Sequence, residues 1–449
     1  MDRLLKLSDS RVTFAAQLLD QLTLDGIRYV LVGDVREFPQ KIPSDIDIVI
    51  DSSSLPKFLP TLTLFCEQKH AKIVQILQHE QSAWYWICAW TDKENAVQFL
   101  HPDVCTDFFR DGVLLLHNHE LLKNRLLVSS QTDSSFSFYI PTPHQGFLYY
   151  LLKKVDKGNI SQEEGEYLSL EWRKDPEGAK AQLKRFWNRE IIELLARAAD
   201  DEEWDPIQKS LPRIKGLLRK NRPFLLKHFY SETVRKIRRI HEPTGLHVVF
   251  LGVDGTGKST ILRTISHDIA PAFRNVHVHH FRPFFGKKQM NTFENILPHS
   301  QPCRGRLSSL AKIAWYLIDH TVGYLVVVFS YLIRSTLVLF DRHYYDVIID
   351  PQRYRYGGPR WVANFFGKLI PRPDLIFLLD ASPQVINERK QEVSIAEMMR
   401  LREAYLQFTN DFENTHVIDA SKPKEEVEIK VKNIILNFLS TRTKQRLRS

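Results

Sequence analysis

A glycine-rich segment at residues 252–259 has the residue types and the spacing that phosphate binding requires. It follows an apolar run that ends at Leu251 and fits the pattern G-x-x-x-x-G-K-[ST]. Glycines at these positions let backbone N–H groups turn toward phosphate oxygens, and a helix beginning near Lys258 adds the positive end of its dipole. The expected nucleotide-binding residues are Gly252, Asp254, Gly255, Thr256, Gly257, Lys258, Ser259 and Thr260.

Two of these side chains, together with an acidic residue further along the chain, predict magnesium-assisted phosphoryl transfer. Lys258 is expected to reach the β- and γ-phosphates, and Ser259 to bind Mg²⁺ through its hydroxyl. Asp341 ends the apolar run "STLVLFD", where its carboxylate is placed to hold the same ion. Arg342 follows it and offers a planar guanidinium to a second phosphate. The competing interpretation is a strand-capping aspartate beside a surface arginine.

A third segment, "PDLIFLLDASPQVINERK", reads as a strand, a turn and a helix that carries Arg389 and Lys390. Basic residues at this place are suited to cover the donor phosphates and to stabilise charge during transfer. A solvated helix face is the alternative.

These residues need a scaffold, and the surrounding pattern predicts one. From residue 245 onward, short apolar runs that read as strands alternate with helical stretches. That order indicates βαβ units, and so an α/β domain over 245–449 with a parallel sheet and helices on both faces.

The motifs "GVDGTGKST", "FDRHYYD", "RPDLIFLLDASPQVINERK" and "RLREAYLQF" together resemble the thymidylate kinase family. The resemblance covers about 200 residues and implies a P-loop kinase fold with ATP and Mg²⁺ as the donor. It also implies that Arg342, and Arg282 in "HHFRPFF", contact the acceptor.

The sequence departs from that family at several positions. Leu251 stands where an acidic residue is usual, "FRPFFG" replaces an Arg-Glu-Pro-Gly motif, and His343 replaces a tyrosine. The stretch "DPQRYRYGGP" adds Arg353 and Arg355 as candidate substrate contacts and resembles divergent thymidylate-kinase-like proteins of bacterial surface-polysaccharide gene clusters. We therefore expect a nucleoside monophosphate or a related phosphorylated metabolite, such as a sugar phosphate, as the acceptor.

Two other functions remain open at this stage. The Asp-Arg-His triplet also occurs in viral thymidine kinases, so the acceptor group is alternatively a hydroxyl of a nucleoside, sugar or glycolipid, with Asp341 or Asp346 as general base. A nucleotide-gated scaffold protein is the alternative outside the enzymes.

A second acidic cluster lies near the N-terminus, in "LVGDVREFPQKIPSDIDIVID". Asp45 and Asp47 alternate on a predicted strand and so share one face. With a third carboxylate, Asp103 or alternatively Asp107, they are candidate ligands for two Mg²⁺ ions. Gly33 followed by Ser-Asp-x-Asp resembles the nucleotidyltransferase superfamily. We expect an α+β nucleotidyltransferase-like domain over 1–135 with a helical extension over 136–205; an inactive version of the fold and a plain edge strand are the alternatives.

The segment 206–244 is strongly basic. Between Lys209 and Arg239 it holds eleven lysines and arginines and one acidic residue, Glu232. A solvated interdomain helix is the favoured interpretation. Contact with an anionic membrane or a lipid-linked substrate is the second, and nucleic acid is disfavoured because no reading module accompanies the charge.

The composition narrows the cellular setting. The net charge of +9 suits anionic partners, and the four scattered cysteines suggest a reducing compartment. The first residues lack the pattern of a signal peptide, so a cytoplasmic enzyme is expected, with a homodimer left open. The uncharged stretch 321–333 is too short to span a membrane and predicts a buried helix, with monotopic membrane contact as the alternative. His277 and His279 are expected on one strand face, held by packing or substrate, with metal binding as the minor alternative.

Overall fold

The structure is a computed structural model that describes residues 11–448, except 39–41, 43–44, 81, 111, 130–135, 221–225, 284–298, 300, 390–393, 411 and 413. The chain divides into two compact units, one of Met1–Lys236 with Thr443–Ser449 and the other of Ile237–Arg442. The domain limits at 135, 205 and 244 remain predictions drawn from composition.

The first unit begins with a mixed sheet and its covering helices. Its elements are α1 (Arg11–Leu24), β1 (Tyr29–Leu31), β2 (Asp45–Ile50), α2 (Leu55–Gln68), β3 (Lys72–Glu80), β4 (Ala83–Thr91), β5 (Val97–Cys105), β6 (Phe108–Arg110), β7 (Val113–Leu116), α3 (Asn118–Leu122), β8 (Leu126–Ser129) and β9 (Ser137–Ile140). The five-stranded sheet has the order β1-β2-β5-β4-β3, in which β2 and β5 are parallel and the other pairs antiparallel. In the parallel pair, Asp47 near the start of β2 lies beside Asp103 near the end of β5.

Helices complete this unit. They are α4 (Pro143–Lys157), α5 (Gln162–Lys174), α6 (Pro176–Leu183), α7 (Arg189–Asp201), α8 (Asp205–Lys220) and the first part of α9 (Leu226–His241), whose last residues belong to the second unit. Ser161 and Glu164 form a capping box that begins α5, and Gly158, in the left-handed region, ends α4. The apolar face of α8 is buried in the same core as α4 and α5, so the first half of the basic segment packs as part of this helical group.

The second unit is built on a parallel sheet. Its elements are β10 (Leu246–Leu251), α10 (Lys258–Asp268), β11 (Asn275–His280), α11 (Arg306–Ile333), β12 (Thr336–Asp341), α12 (Tyr345–Ile349), α13 (Arg360–Leu369), β13 (Leu375–Asp380), α14 (Pro383–Arg389), α15 (Ile395–Thr409), β14 (Thr415–Asp419) and α16 (Lys424–Arg448). The strand order is β11-β12-β10-β13-β14, and every pair is parallel. The expected α/β architecture is thus confirmed for this unit, with β10, β12 and β13 as nearly continuous buried apolar runs.

The long helix α11 differs from the expectation for residues 321–333. An α-helical part to Gly323, a π-helical turn from Tyr324 to Val328 and a last α-helical part make it 28 residues long. Its length and apolar composition would suffice to cross a membrane, and only 28% of its most apolar window is buried within the protein. The prediction of a buried helix is therefore wrong: Leu325 and Val326 are 64% and 57% exposed.

Candidate functional site

The phosphate-binding segment forms a tight loop between β10 and α10. Gly252 has a φ of 137°, and a Cβ there would lie 2.5 Å from the carbonyl oxygen of Leu379. Gly255 and Gly257 have φ values of 90° and 88°. Residues with a side chain rarely adopt these backbone conformations. The path of the backbone therefore requires the glycines of the motif.

Lys258 is folded back into this loop. Its Nζ donates to the carbonyl oxygens of Gly252 at 2.8 Å and Val253 at 2.9 Å, and the residue is buried. Thr256 donates to the Val253 carbonyl as well, which holds the loop closed on itself. Ser259 and Thr260, in the first turn of α10, are exposed. All the predicted nucleotide-binding residues therefore lie in one loop and helix start.

The predicted metal ligands of the second unit meet. The hydroxyl of Ser259 donates to Oδ2 of Asp341 at 2.9 Å, although 82 residues separate them. Oδ1 of Asp341 is buried and has no hydrogen-bond partner among the described residues. A hydroxyl beside an unsatisfied carboxylate oxygen is a donor set that suits Mg²⁺, so these residues fit the ion that the fold implies.

Arg342 lies at the centre of a charged cluster. Its backbone adopts a φ of 75°, and its side chain is almost fully buried. Its guanidinium contacts Oδ1 of Asp254, while Arg353 contacts Oδ2 of the same carboxylate. Lys258 lies 3.6 Å from Asp254 as well. Three cations thus surround one carboxylate, which leaves positive charge available for a phosphate.

Asp346 contacts Arg342 and stabilises this arrangement. It is fully buried and accepts hydrogen bonds from the backbone N–H of His343 at 2.8 Å and from the Tyr405 hydroxyl at 2.5 Å. Arg342 approaches it at 3.4 Å. Because these donors occupy the carboxylate, Asp346 is placed to position Arg342 and not to accept a proton from a substrate. Tyr405 lies in the motif "RLREAYLQF", but its contact with Asp346 was not predicted.

The other candidate residues of this unit lie at different places around the sheet. Arg282 is paired with Asp319, and Arg355 donates to the side chain of Gln301. Arg389 donates to the carbonyl of Ala420 at 3.0 Å, at the end of β14. Lys390 lies outside the described residues. Their contacts with donor or acceptor therefore remain predictions.

An arginine that the sequence analysis missed pairs with a motif carboxylate. Arg402 makes a two-pronged contact with Asp380, at 2.7 and 2.8 Å. It stands in "RLREAYLQF", so the same segment that supplies Tyr405 also fixes the end of β13. The helical spacing of the two residues was visible, but not their partners.

The histidines of β11 are held by packing, as expected. His277 stacks on Tyr331 with ring centroids 4.0 Å apart, and His279 stacks on Phe340 at 4.9 Å. His343 and His247 are buried nearby, with centroids 6.1 Å apart. Burial, followed by the neighbouring imidazoles, lowers the pKa of His247 to about 3 and that of His343 well below its usual range.

The acidic cluster of the first unit is also brought together. Asp47 on β2 lies directly opposite Asp103 on the parallel strand β5. Burial, and then the charge of Asp47, raise the pKa of Asp103 to about 7. Gly33 has a φ of 101°, and a Cβ there would lie 3.4 Å from the carboxylate of Asp47. Asp107 is instead bound by the backbone and side chain of Asn118, so Asp103 is the better placed third carboxylate.

A lysine that the sequence analysis missed occupies this cluster. Lys153 on α4 donates to Oδ2 of Asp47 at 2.5 Å, and only 14% of its side chain is exposed. Within the part of the chain that the structure describes, no three His, Cys, Asp or Glu side chains are grouped closely enough to hold a metal ion. Metal binding by Asp45, Asp47 and Asp103 stays a prediction, and it would require Lys153 to move.

Much of the second unit is similar to known proteins. Residues 250–431 match the family model described as thymidylate kinase. A probable thymidylate kinase of Archaeoglobus fulgidus is 29% identical over 198 residues, which are 42% of this chain and 94% of the relative. One of Methanosarcina mazei is 26% identical over 213 residues, 43% of this chain and 97% of its own length.

A crystal structure of thymidylate kinase from Ehrlichia chaffeensis aligns with 43% of this chain and 100% of its own, at 17% identity and a TM-score of 0.32. The family match and the curated relatives fall on the segment that carries the phosphate loop, Asp341 and Arg342. The C-terminal part of this chain thus contains a domain that matches the thymidylate kinase family over residues 250–431.

Proposed function

We propose that the C-terminal domain transfers the γ-phosphoryl group of ATP to a nucleoside monophosphate or a related phosphorylated metabolite. The observation that carries this proposal is the contact between Ser259 and Asp341, with the second carboxylate oxygen unsatisfied. The match of this segment to thymidylate kinases supports it. The relatives are named as thymidylate kinases.

In this proposal the chain's own residues orient and neutralise the donor. The backbone N–H groups of the loop bind phosphate oxygens, and Lys258 exchanges its carbonyl partners for the β- and γ-phosphates. Ser259 and Asp341 would hold Mg²⁺, which neutralises charge on the phosphate oxygens. Arg342 and Arg353 would leave Asp254 in part to bind the acceptor's phosphate.

A phosphate acceptor fits this geometry better than a hydroxyl acceptor. Transfer to a hydroxyl needs a free general base. Asp346 is buried and occupied by its donors, and Asp341, which accepts from Ser259, would be occupied by Mg²⁺ in this proposal. The two arginines at Asp254 instead offer the cationic forks that a phosphate prefers.

The test is ADP release from the full-length protein with ATP, Mg²⁺ and separate pools of nucleoside monophosphates, sugar phosphates and nucleosides. Lys258→Ala should reduce kcat by about 100-fold or more, because charge that develops in transfer loses its partner. Lys422→Ala, which removes a surface ion pair with Glu426, is the matched control. Equal turnover of Lys258→Ala and wild-type protein would reject the kinase and favour a nucleotide-gated scaffold.

We further propose that the first unit is a nucleotidyltransferase-like module that binds a divalent cation through Asp45, Asp47 and Asp103. The register that places Asp47 opposite Asp103, beside the glycine at residue 33, favours it. Contact of the basic segment with an anionic membrane, a cytoplasmic location and a homodimer are also proposals. Membrane contact is supported by the exposure of Phe229 and Tyr230 on α9, at 63% and 72%.

A further inference from the structure

A pocket in the second unit has no role in the function proposed so far. It is small and opens to solvent. Its lining contains three cationic and three phenolic side chains and no carboxylate. The six residues are Arg304, Lys312, Arg355, Tyr316, Tyr354 and Tyr356.

The two arginines of the pocket are held by neutral oxygens. Arg304 donates to the carbonyl of Tyr354 at 3.1 Å. Arg355 donates to the carbonyl of Pro302 at 3.1 Å and to the side chain of Gln301 at 2.5 Å. In the described residues, no carboxylate forms an ion pair with Arg304, Arg355 or Lys312. The hydrogen bonds therefore fix the two guanidiniums in place without cancelling their charge.

The resulting excess of positive charge also affects Lys312. Its ammonium lies 5.0 Å from the centre of the Tyr316 ring, an interaction that stabilises a cation only weakly in contact with solvent. Burial, and then the charges of Arg282 and Arg304, lower the pKa of Lys312. Asp319 opposes this effect but is paired with Arg282. A bound anion would relieve the repulsion among these cations.

Aromatic rings form the walls of the pocket and tie it to the acceptor end of the site. Tyr354 stacks on Phe281 with centroids 4.7 Å apart, and its hydroxyl is buried with no hydrogen-bond partner among the described residues. The preceding residue, Arg353, contacts Asp254 in the phosphate loop. A short peptide segment thus carries both an arginine that faces the phosphate site and the tyrosine that lines the pocket.

We propose that this pocket binds a second anionic group of the phosphoryl acceptor, a carboxylate or a further phosphate, while the acceptor's reacting phosphate lies at Arg342 and Arg353. This inference rests on the proposed kinase function and names the substrate class: metabolites with two separate anionic groups, such as sugar bisphosphates or uronic acid phosphates. A neutral group in the same place would leave three cations without compensation. A nucleoside monophosphate with a neutral base should therefore be the poorer acceptor.

The test compares ligands that differ by one anionic group. Glucuronic acid 1-phosphate is matched with glucose 1-phosphate, and thymidine 3′,5′-bisphosphate with thymidine 5′-monophosphate. Each is titrated calorimetrically into full-length protein saturated with a non-hydrolysable ATP analogue and Mg²⁺. We expect the doubly anionic member of at least one pair to bind about tenfold more tightly. The pair that shows this preference tells whether a carboxylate or a second phosphate is recognised.

Variants assign the effect to the pocket. Lys312→Gln and Arg355→Gln should each reduce the preference to about twofold or less, because an exposed residual contact is worth little. Lys312→Arg should retain it, and Lys368→Gln, an exposed residue of α13, should leave it unchanged. Circular dichroism and affinity for the ATP analogue confirm that each variant is folded.

The outcomes separate this inference from the kinase proposal. Normal binding of the ATP analogue together with equal affinities within both pairs, or a preference that persists in Lys312→Gln and Arg355→Gln, overturns the pocket assignment alone. A wild-type protein that fails to bind the ATP analogue overturns the kinase proposal and this inference together.

Discussion

The hydroxyl of Ser259 donates to Oδ2 of Asp341, which stands at the end of a different strand, 82 residues away. The contact joins the first turn of α10 to the carboxyl end of β12, because β10 and β12 are parallel neighbours in the sheet. In the described part of the chain Oδ1 of Asp341 is buried without a hydrogen-bond partner, so a cation bound there would satisfy it.

Asp341→Asn should therefore reduce catalysis without unfolding the domain. The amide oxygen still accepts from Ser259, but the negative charge that attracts Mg²⁺ is lost. We expect kcat to fall by about 100-fold or more and the Mg²⁺ concentration for half-maximal rate to rise. ADP release measured across Mg²⁺ concentrations checks this. Asp268→Asn on α10 is the control, and a similar small loss in both variants would contradict the assignment.

Arg342 and Arg353 share Asp254 but should differ in kinetic effect. Arg342 is buried and fixed by Asp346, so Arg342→Lys loses a planar fork that the site holds rigidly. We expect a lower kcat and a higher KM for the acceptor. Arg353→Lys, in a more exposed position, should raise the acceptor KM by about tenfold with kcat within about twofold. Separate titrations of ATP and acceptor distinguish the two. An unchanged acceptor KM in both variants would remove them from the acceptor site.

Much of the kinase domain could be predicted from sequence for a simple physical reason. Buried parallel strands are continuous apolar runs, and polar residues must follow where each strand leaves the sheet. "STLVLFD" therefore located both β12 and Asp341, and the glycines fixed the loop that faces it. The carboxyl ends of parallel neighbours meet, so the proximity of Ser259 and Asp341 was implied as well.

Contacts between distant elements could not be predicted in this way. Lys153 reaches Asp47 across 106 residues, and Tyr405 reaches Asp346 across 59, and neither spacing leaves a periodic signal. The exposure of α11 was also missed. An apolar stretch tells how much surface prefers to leave water, but not whether another element of the chain covers it.

The buried histidines predict a loss of stability in mild acid. His247 remains neutral in the folded protein because its pKa is lowered to about 3, whereas its ordinary value is 6.5. Above pH 6.5 both the folded and unfolded forms are neutral, and stability is fully present. As the pH falls below 6.5, His247 binds a proton in the unfolded form but not in the folded form. Between pH 7.5 and 5.5 this should lower the free energy of unfolding by about 1.4 kcal/mol.

His247→Phe tests that account. The ring packs against Phe340 and Tyr324, so a phenyl group fits the surroundings without a titrating nitrogen. Hydrogen-exchange protection of the β10 amides, corrected for intrinsic pH dependence, should fall less in the variant than in wild-type protein over the same interval. An identical decrease in both would show that His247 does not account for it.

The two acidic sites should act independently. They lie in separate compact units, and sites that share no partners usually contribute additively. Asp45→Asn combined with Asp47→Asn should leave ADP release by the kinase domain within about twofold of wild type. A loss as large as that of Asp341→Asn would show that the first unit takes part in phosphoryl transfer.

Lys153 makes the metal hypothesis for the first unit testable. A cation at Asp47 must displace an ammonium that is already paired there at 2.5 Å, so Lys153→Gln should strengthen Mn²⁺ binding in a calorimetric titration without nucleotide. The affinity for Mn²⁺ in the same titration should increase as the pH rises through 7, because protons compete with the cation for Asp103, whose pKa is raised to about 7. Asp45→Asn with Asp47→Asn should abolish the signal, and Lys154→Gln, a neighbour paired with Glu164 instead, is the control. Failure of Lys153→Gln to bind Mn²⁺ at pH 8 would show that the ion pair between Lys153 and Asp47 is structural, and the phosphoryl chemistry of the chain would then rest on the loop from Gly252 to Ser259 alone.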